Sequence, residues 1–140
     1  MIDSTRRFIR HPTSIPLDFS VDENQNSTRM KDVGAGGLCF ISKNPIDKNT
    51  PIHITIPIFE PKFVTNGIVR WCHQEGSSFL IGIAFQKESA TFEIPLIEQI
   101  CHIENYRKQK NTKEGLNITS EEAAIEWIEK YAASFPKISD

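Results

Sequence analysis

The sequence predicts a mainly β protein, a small antiparallel barrel or sandwich followed by C-terminal helices, and three observations carry that prediction. Short runs rich in β-branched and aromatic residues recur between Ile15 and Phe85. Each is bounded by Gly, Pro, Asn or Ser, the punctuation and spacing expected of short strands in a closed or double-layered sheet. After Lys87 the apolar period lengthens from that of a strand to that of a helix.

The first strand is Ile15-Pro16-Leu17-Asp18-Phe19-Ser20-Val21, where apolar residues hold the odd positions as in a half-buried strand. The polar run Asp22 to Ser27 is expected to break it. A second strand follows over Thr28 to Val33, then the turn Gly34-Ala35-Gly36-Gly37 and a third strand at Leu38 to Ile41. Asn44-Pro45 and Asp47-Lys48-Asn49 mark the next turn. Further strands are predicted at Ile52 to Ile58, Phe63 to Cys72 and Phe79 to Phe85. Pro51, Pro57 and Pro61 lack the N–H a ladder needs and belong at strand ends or on an edge.

Phe92, Leu96, Ile97, Ile100, Ile103 and Tyr106 recur at helical spacing, and Pro95 fits only the first turn of that helix. Lys108 to Gly115 carries no periodic apolar residues and reads as a connector. Thr119-Ser120-Glu121-Glu122 has the form of a capping box, predicting a second helix from Ser120 to about Ser134, stopped near Pro136. Its apolar stripe is Ile125, Ile128, Ala132 and Phe135, with Trp127 and Tyr131 beside it. The stripe either packs on the barrel or faces a partner. The chain thus divides into an N-terminal arm (1–14), a barrel with trailing helix (15–110) and a connector with C-terminal helix (111–140).

With 140 residues and 39% hydrophobic residues, the chain can bury one ordinary core. Its formal net charge of -2 provides no general field for a nucleic-acid duplex or an anionic membrane, so any anion must be held locally. No apolar run is long enough to cross a bilayer and the first residues lack the apolar stretch of a signal peptide, so the expected location is the cytoplasm. Cys39, Cys72 and Cys101 have no close spacing and are expected to be buried free thiols. No order of Ser, His and Asp or of Cys and His suggests catalysis, and an enzyme is not expected. Cys72-His73 and Cys101-His102 lack the spacing of a zinc site and read as core cysteine beside surface histidine. Trp71 is assigned to the core.

Two constellations carry chemistry. Arg6 and Arg10, with Arg7 between them, present guanidinium forks suited to phosphate oxygens and to the O6/N7 edge of guanine. Taken alone, such a cluster is more often a patch of solvated charge than a ligand site. Asp32-Val33-Gly34-Ala35-Gly36-Gly37 is either a tight hairpin with a capping aspartate or a turn whose glycines let the backbone approach a ligand and form an anion nest. Asp32 suits the N1–H and N2 donors of guanine.

Together, and in this order, the two resemble the PilZ domain family, whose motif is RxxxR near the N-terminus followed by [DN]xSxxG. Arg6 to Arg10 matches the first element, and Asp32 and Gly37 match the ends of the second. Pro12 to Leu17, Gly67 to Trp71 and Leu80 to Phe85 are similar to strands of that family. The resemblance covers roughly Arg6 to Tyr106 and implies a six-stranded antiparallel PilZ-type β-barrel with C-terminal helices that binds cyclic di-GMP (c-di-GMP). It assigns Arg6 and Arg10 to phosphate and guanine edges, Arg7 to stacking or phosphate, and Asp32 with the Gly34, Gly36 and Gly37 backbone to a second guanine or the ribose-phosphate. It also implies that the arm folds over the barrel when ligand arrives.

Gly34 stands where the family has serine, so a hydroxyl is missing. A hydrogen bond to a charged partner contributes about 1.5–3 kcal/mol, and weaker affinity is the expected consequence. The function implied is a receptor and adaptor that passes the c-di-GMP signal to an unidentified protein effector, with no cofactor, metal, DNA, RNA or membrane insertion, as a monomer or homodimer. The competing reading is a PilZ-like scaffold that binds protein only. A single-strand nucleic-acid barrel is disfavoured by the net acidity and by the lack of basic residues among the aromatics.

Overall fold

The computed structural model describes residues 10–34, 36–59, 62–86 and 90–131. Seven strands and two helices follow in order: β1 (His11–Pro12), β2 (Pro16–Val21), β3 (Asn24–Gly34), β4 (Gly37–Ser42), β5 (Pro51–Ile56), β6 (Phe63–Glu75), β7 (Ser78–Phe85), α1 (Ala90–Lys113) and α2 (Ser120–Tyr131). Antiparallel pairing runs β3-β2-β5-β6-β7-β4, and a further β3–β4 ladder closes the ring into a six-stranded barrel. Closure removes the open edges that a flat sheet would expose. The seventh strand, β1, adds only His11↔Val33 and Pro12↔Asp32 to β3. The expected six-stranded fold with C-terminal helices is therefore the observed one.

Alternation in the sequence becomes inside and outside in the barrel. Leu17 and Phe19 of β2, Ile52, Ile54 and Ile56 of β5, and Phe63 and Val69 of β6 are buried, while Asp18, His53, Thr55 and Val64 between them face outward. Phe19 and Phe40 meet across the interior with ring centroids 4.6 Å apart. Leu96, Ile100 and Ile103 of α1 join the same core.

Several boundaries differ from the sequence expectation. Only Asp22 and Glu23 form the turn after β2, with Asp22 at φ 51°, and β3 begins at Asn24 paired to Val21. Asn24 to Ser27 are exposed because this end of the hairpin has no core beneath it, so their polarity reflects solvent contact. Helix α1 starts at Ala90, which puts Pro95 beyond the first turn, where it removes one intrahelical hydrogen bond. The same helix continues through the expected connector to Lys113, supported by Lys110–Glu114 at 3.4 Å, and Gly115 at φ 66° turns the chain out of it.

The capping box forms as expected: Glu122 N donates to Thr119 Oγ1 at 3.1 Å and Thr119 N donates to Glu122 Oε1 at 2.9 Å. The buried face of α2 is Ser120, Ala123, Ala124 and Trp127, whereas Ile125 is 46% exposed. Alanines allow α2 to lie close to α1, so the large aliphatic Ile125 turns outward; Ala132 and Phe135 of the expected stripe lie outside the described residues.

Gly37 is required by space. A Cβ there would lie 1.9 Å from the Ile83 carbonyl oxygen, a backbone atom of β7 that cannot move alone. Gly37→Ala should therefore cost at least about 2 kcal/mol of stability, read as a lower urea midpoint with an unchanged slope.

Candidate functional site

Arg10 and Asp32 lie 22 positions apart in the sequence, and the short β1–β3 ladder brings them together. Arg10 Nε and Nη2 both donate to Asp32 Oδ1, at 3.0 and 2.6 Å. Among the described residues no hydrogen bond uses Oδ2. Both side chains are partly exposed, so the pair contributes no more than about 1 kcal/mol and exchanges readily for a better partner. Two residues further on, Gly34 pairs with Gly37, and Phe85 N donates to Gly36 O at 3.0 Å, which fastens the β3–β4 turn beneath the end of β7.

A row of registered residues extends from this pair across the outer barrel wall. Asp32 pairs with Cys39 on β4, Cys39 with Gly82 on β7, and Gly82 with Trp71 on β6. An irregularity between Val69 and Trp71 leaves Arg70 and Trp71 both exposed after the inward Val69, so Trp71 is a wall residue 38% exposed and not the core residue expected. Its indole lies flat over Gly82, whose missing side chain makes the space: a Cβ there would be 2.1 Å from Trp71 Cε2. Asp32 and Gly82 are two strand spacings apart, about 10 Å. A carboxylate with its arginine therefore bounds one side of a shallow floor and an aromatic ring the other.

Cys39 lies in that floor between the two. Burial, then the Asp32 carboxylate, pushes its thiol up to about 11, with Arg10 and Lys31 opposing. Cys101 is exposed, contrary to expectation, and its Sγ lies 3.4 Å from His11 Nδ1; burial and Glu98 raise its thiol as well. All three cysteines are free, with Cys72 only half-buried. His102 stacks on Trp127 at 5.9 Å, and His53 Nδ1 meets Asn66 Oδ1 at 2.8 Å.

The sequence matches the family model of the PilZ domain over residues 4–101. The chain belongs to the PilZ domain family. No curated protein matches the sequence significantly. In fold the chain is similar to the PilZ domain of YcgR from Escherichia coli, solved with c-di-GMP, at a TM-score of 0.60 and 16% identity over 79% of this chain and 98% of that one. It is similar to MrkH of K. pneumonia, solved as a c-di-GMP complex, at 0.56 and 14% identity over 74% of this chain and 54% of that one. The Bacillus subtilis inhibitor of motility MotI/DgrA gives 0.50 and 14% identity over 59% of this chain and 43% of that one. The chain thus spans about half or less of MrkH and MotI/DgrA, and at these identities the likeness is one of fold.

Within the PilZ barrel, then, Arg10 and Asp32 touch, Gly34, Gly36 and Gly37 form the adjoining turn, and Arg6 and Arg7 lie outside the described residues. A surface hollow of about 1160 Å³ lies at the opposite end of the barrel beside the Asp22–Glu23 turn and Asn44, away from this constellation. Sequence reasoning missed Trp71 because a bulge reverses strand alternation without any local signal beyond Gly82 on the facing strand. It also missed Glu104, whose carboxylate accepts from Thr13 Oγ1 at 2.6 Å, Ser120 Oγ at 2.7 Å and Arg107 Nε at 2.9 Å. Among the described residues no cluster of His, Cys, Asp and Glu has the arrangement of a metal site, and no helix is long and apolar enough to cross a membrane.

Folding holds the Cys39 proton up to about pH 11, whereas the ordinary thiol value is 9.0. The unfolded state binds fewer protons in that window, so stability falls as pH rises through it. Denaturant midpoints should decline between about pH 9 and about pH 11, and more steeply in wild type than in Cys39→Ala; parallel declines would assign the loss to other groups.

Proposed function

We propose that this PilZ protein is a receptor for c-di-GMP and not an enzyme, with Arg10 and Asp32 at the centre of its site. The observation that carries the reading is their 2.6 Å contact beside the Gly34–Gly37 turn, which sets the last arginine of the RxxxR segment against the aspartate that opens the second segment. The family membership and the c-di-GMP held by the similar YcgR and MrkH structures support it.

In this reading Arg10, joined by Arg6 and Arg7, takes phosphate oxygens and guanine edges, while Asp32 accepts from guanine N1–H and N2. Charge-assisted bonds to ligand, each about 1.5–3 kcal/mol, outweigh an exposed ion pair of about 1 kcal/mol or less, so Arg10 exchanges Asp32 for nucleotide. The backbone of Gly34, Gly36 and Gly37 adjoins the bound ribose-phosphate, without the serine hydroxyl that Gly34 replaces. Trp71, across the Cys39–Gly82 floor, supplies an aromatic surface for a base. The liganded protein then acts in the cytoplasm as an adaptor for a protein effector, as a monomer or homodimer. If the chain were a scaffold that needs no nucleotide, partner capture would be the same with and without c-di-GMP.

Calorimetry with c-di-GMP should detect micromolar or tighter binding, reduced at least tenfold in Asp32→Ala and abolished in the Arg6→Ala, Arg10→Ala double variant. Absence of heat in wild type, or normal binding by the double variant, rules the reading out. Trp71→Ala should lose about 1–3 kcal/mol of binding, and in a Trp127→Phe background the remaining Trp71 fluorescence should change on ligand addition. An unresponsive indole would remove Trp71 from the site while leaving the arginines in place.

A further inference from the structure

We infer that Glu104 couples the ligand site to helix α2, so that c-di-GMP held by Arg10 and Asp32 loosens the N-terminal end of that helix. The inference rests on the receptor reading above and extends it to a segment beyond the family match, which ends at residue 101.

The coupling begins with the arm. Arg10 is held by Asp32, His11 and Pro12 pair with β3, and Thr13 N donates to Lys31 O at 3.2 Å. Only His11 and Pro12 separate the arginine that must leave Asp32 from Thr13, so movement of Arg10 is carried directly into Thr13 and Ser14. At Thr13 the arm meets the helices. Its hydroxyl and that of Ser120, the first residue of α2, both donate to Glu104 Oε2, at 2.6 and 2.7 Å. Ser14 N in turn donates to Ser120 Oγ at 3.3 Å. The Glu104 side chain is only 13% exposed, and its other oxygen accepts from Arg107, so the carboxylate is fixed on α1 while arm and α2 share its remaining face.

The arm also meets α1 at His11, whose Nδ1 lies 3.4 Å from Cys101 Sγ. A groove of about 360 Å³ lies between the arm and α1, lined by His11, Pro12, Cys101 and Glu104 among others, so the arm is attached here through hydrogen bonds with room to shift. Further along, α2 is held by Trp127 on His102 and by Tyr106 Oη donating to Glu126 Oε1 at 2.8 Å. Those contacts do not involve the arm. Loss of Thr13 and Ser14 therefore loosens the first turns of α2 without detaching its C-terminal half.

Hydrogen exchange on the full chain tests the link. Saturating c-di-GMP should speed exchange of the amides of residues 121–128 by at least about threefold. Thr13→Val, which keeps the shape of the side chain and removes its hydroxyl, should produce a similar increase without ligand. Because site and helix are linked reciprocally, the same variant should also bind c-di-GMP about threefold or more tightly, although Thr13 has no place in the ligand site. A merely structural threonine would not improve binding. Calorimetry on wild type separates the failures: no heat overturns the receptor reading and the regulation with it. Normal heat with α2 exchange indifferent to ligand, or Thr13→Val equal to wild type in affinity, overturns the coupling alone.

Discussion

Strand β3 constrains everything else in the molecule, because it pairs along both of its edges. Its first half is occupied by β2 and its second half by β4, and that second ladder is the one that closes the barrel. Where β2 ends, β1 takes over the free edge, so Asp32 has Pro12 on one side and Cys39 on the other. A one-residue slip of β3 would turn Met30 out of the core and Asp32 into it. The burial of Met30 and Val33 thus sets the direction of the carboxylate on which the proposed site depends.

The strengths of the contacts follow a gradient. Around Gly37 and Ile83 the backbones approach so closely that no side chain fits, and this part of the barrel is rigid. The Arg10–Asp32 pair, two positions along the same ladder, is exposed and weak. An exchangeable pair mounted on an inflexible wall is what a site needs if ligand is to reorganise the arm and leave the barrel unchanged. Glu104 stands between these extremes, mostly buried and fully engaged, at the point where arm and helices meet.

Much of the fold was legible in the sequence because barrel strands with one buried face write their period directly. Ile52, Ile54 and Ile56 alternate with outward residues, and Thr119 with Glu122 announces the start of α2. Misreadings arose where an element projects away from the core. Asn24 to Ser27 are exposed regular structure and Lys108 to Lys113 are largely so, and without a buried face they carry no apolar period. The proximity of Arg10 and Asp32 was legible only as two motifs in order, since contact over 22 residues depends on register. Thr13, Glu104 and Ser120 have no sequence signature at all, because three common polar residues from three elements meet only in the folded chain.

The irregularity beside Arg70 gives β6 a phase that depends on a single residue. Drawing Arg70 into the ladder as an ordinary paired residue would restore uninterrupted pleating beyond Val69 and exchange the inward and outward sets from Trp71 to Glu75. The indole would then compete for a barrel interior already filled by Phe40 and Ile81, and the wall over Gly82 would be left bare. Whichever residue type occupies the extra position, its exclusion from the ladder is what keeps an aromatic ring on the outside of this barrel.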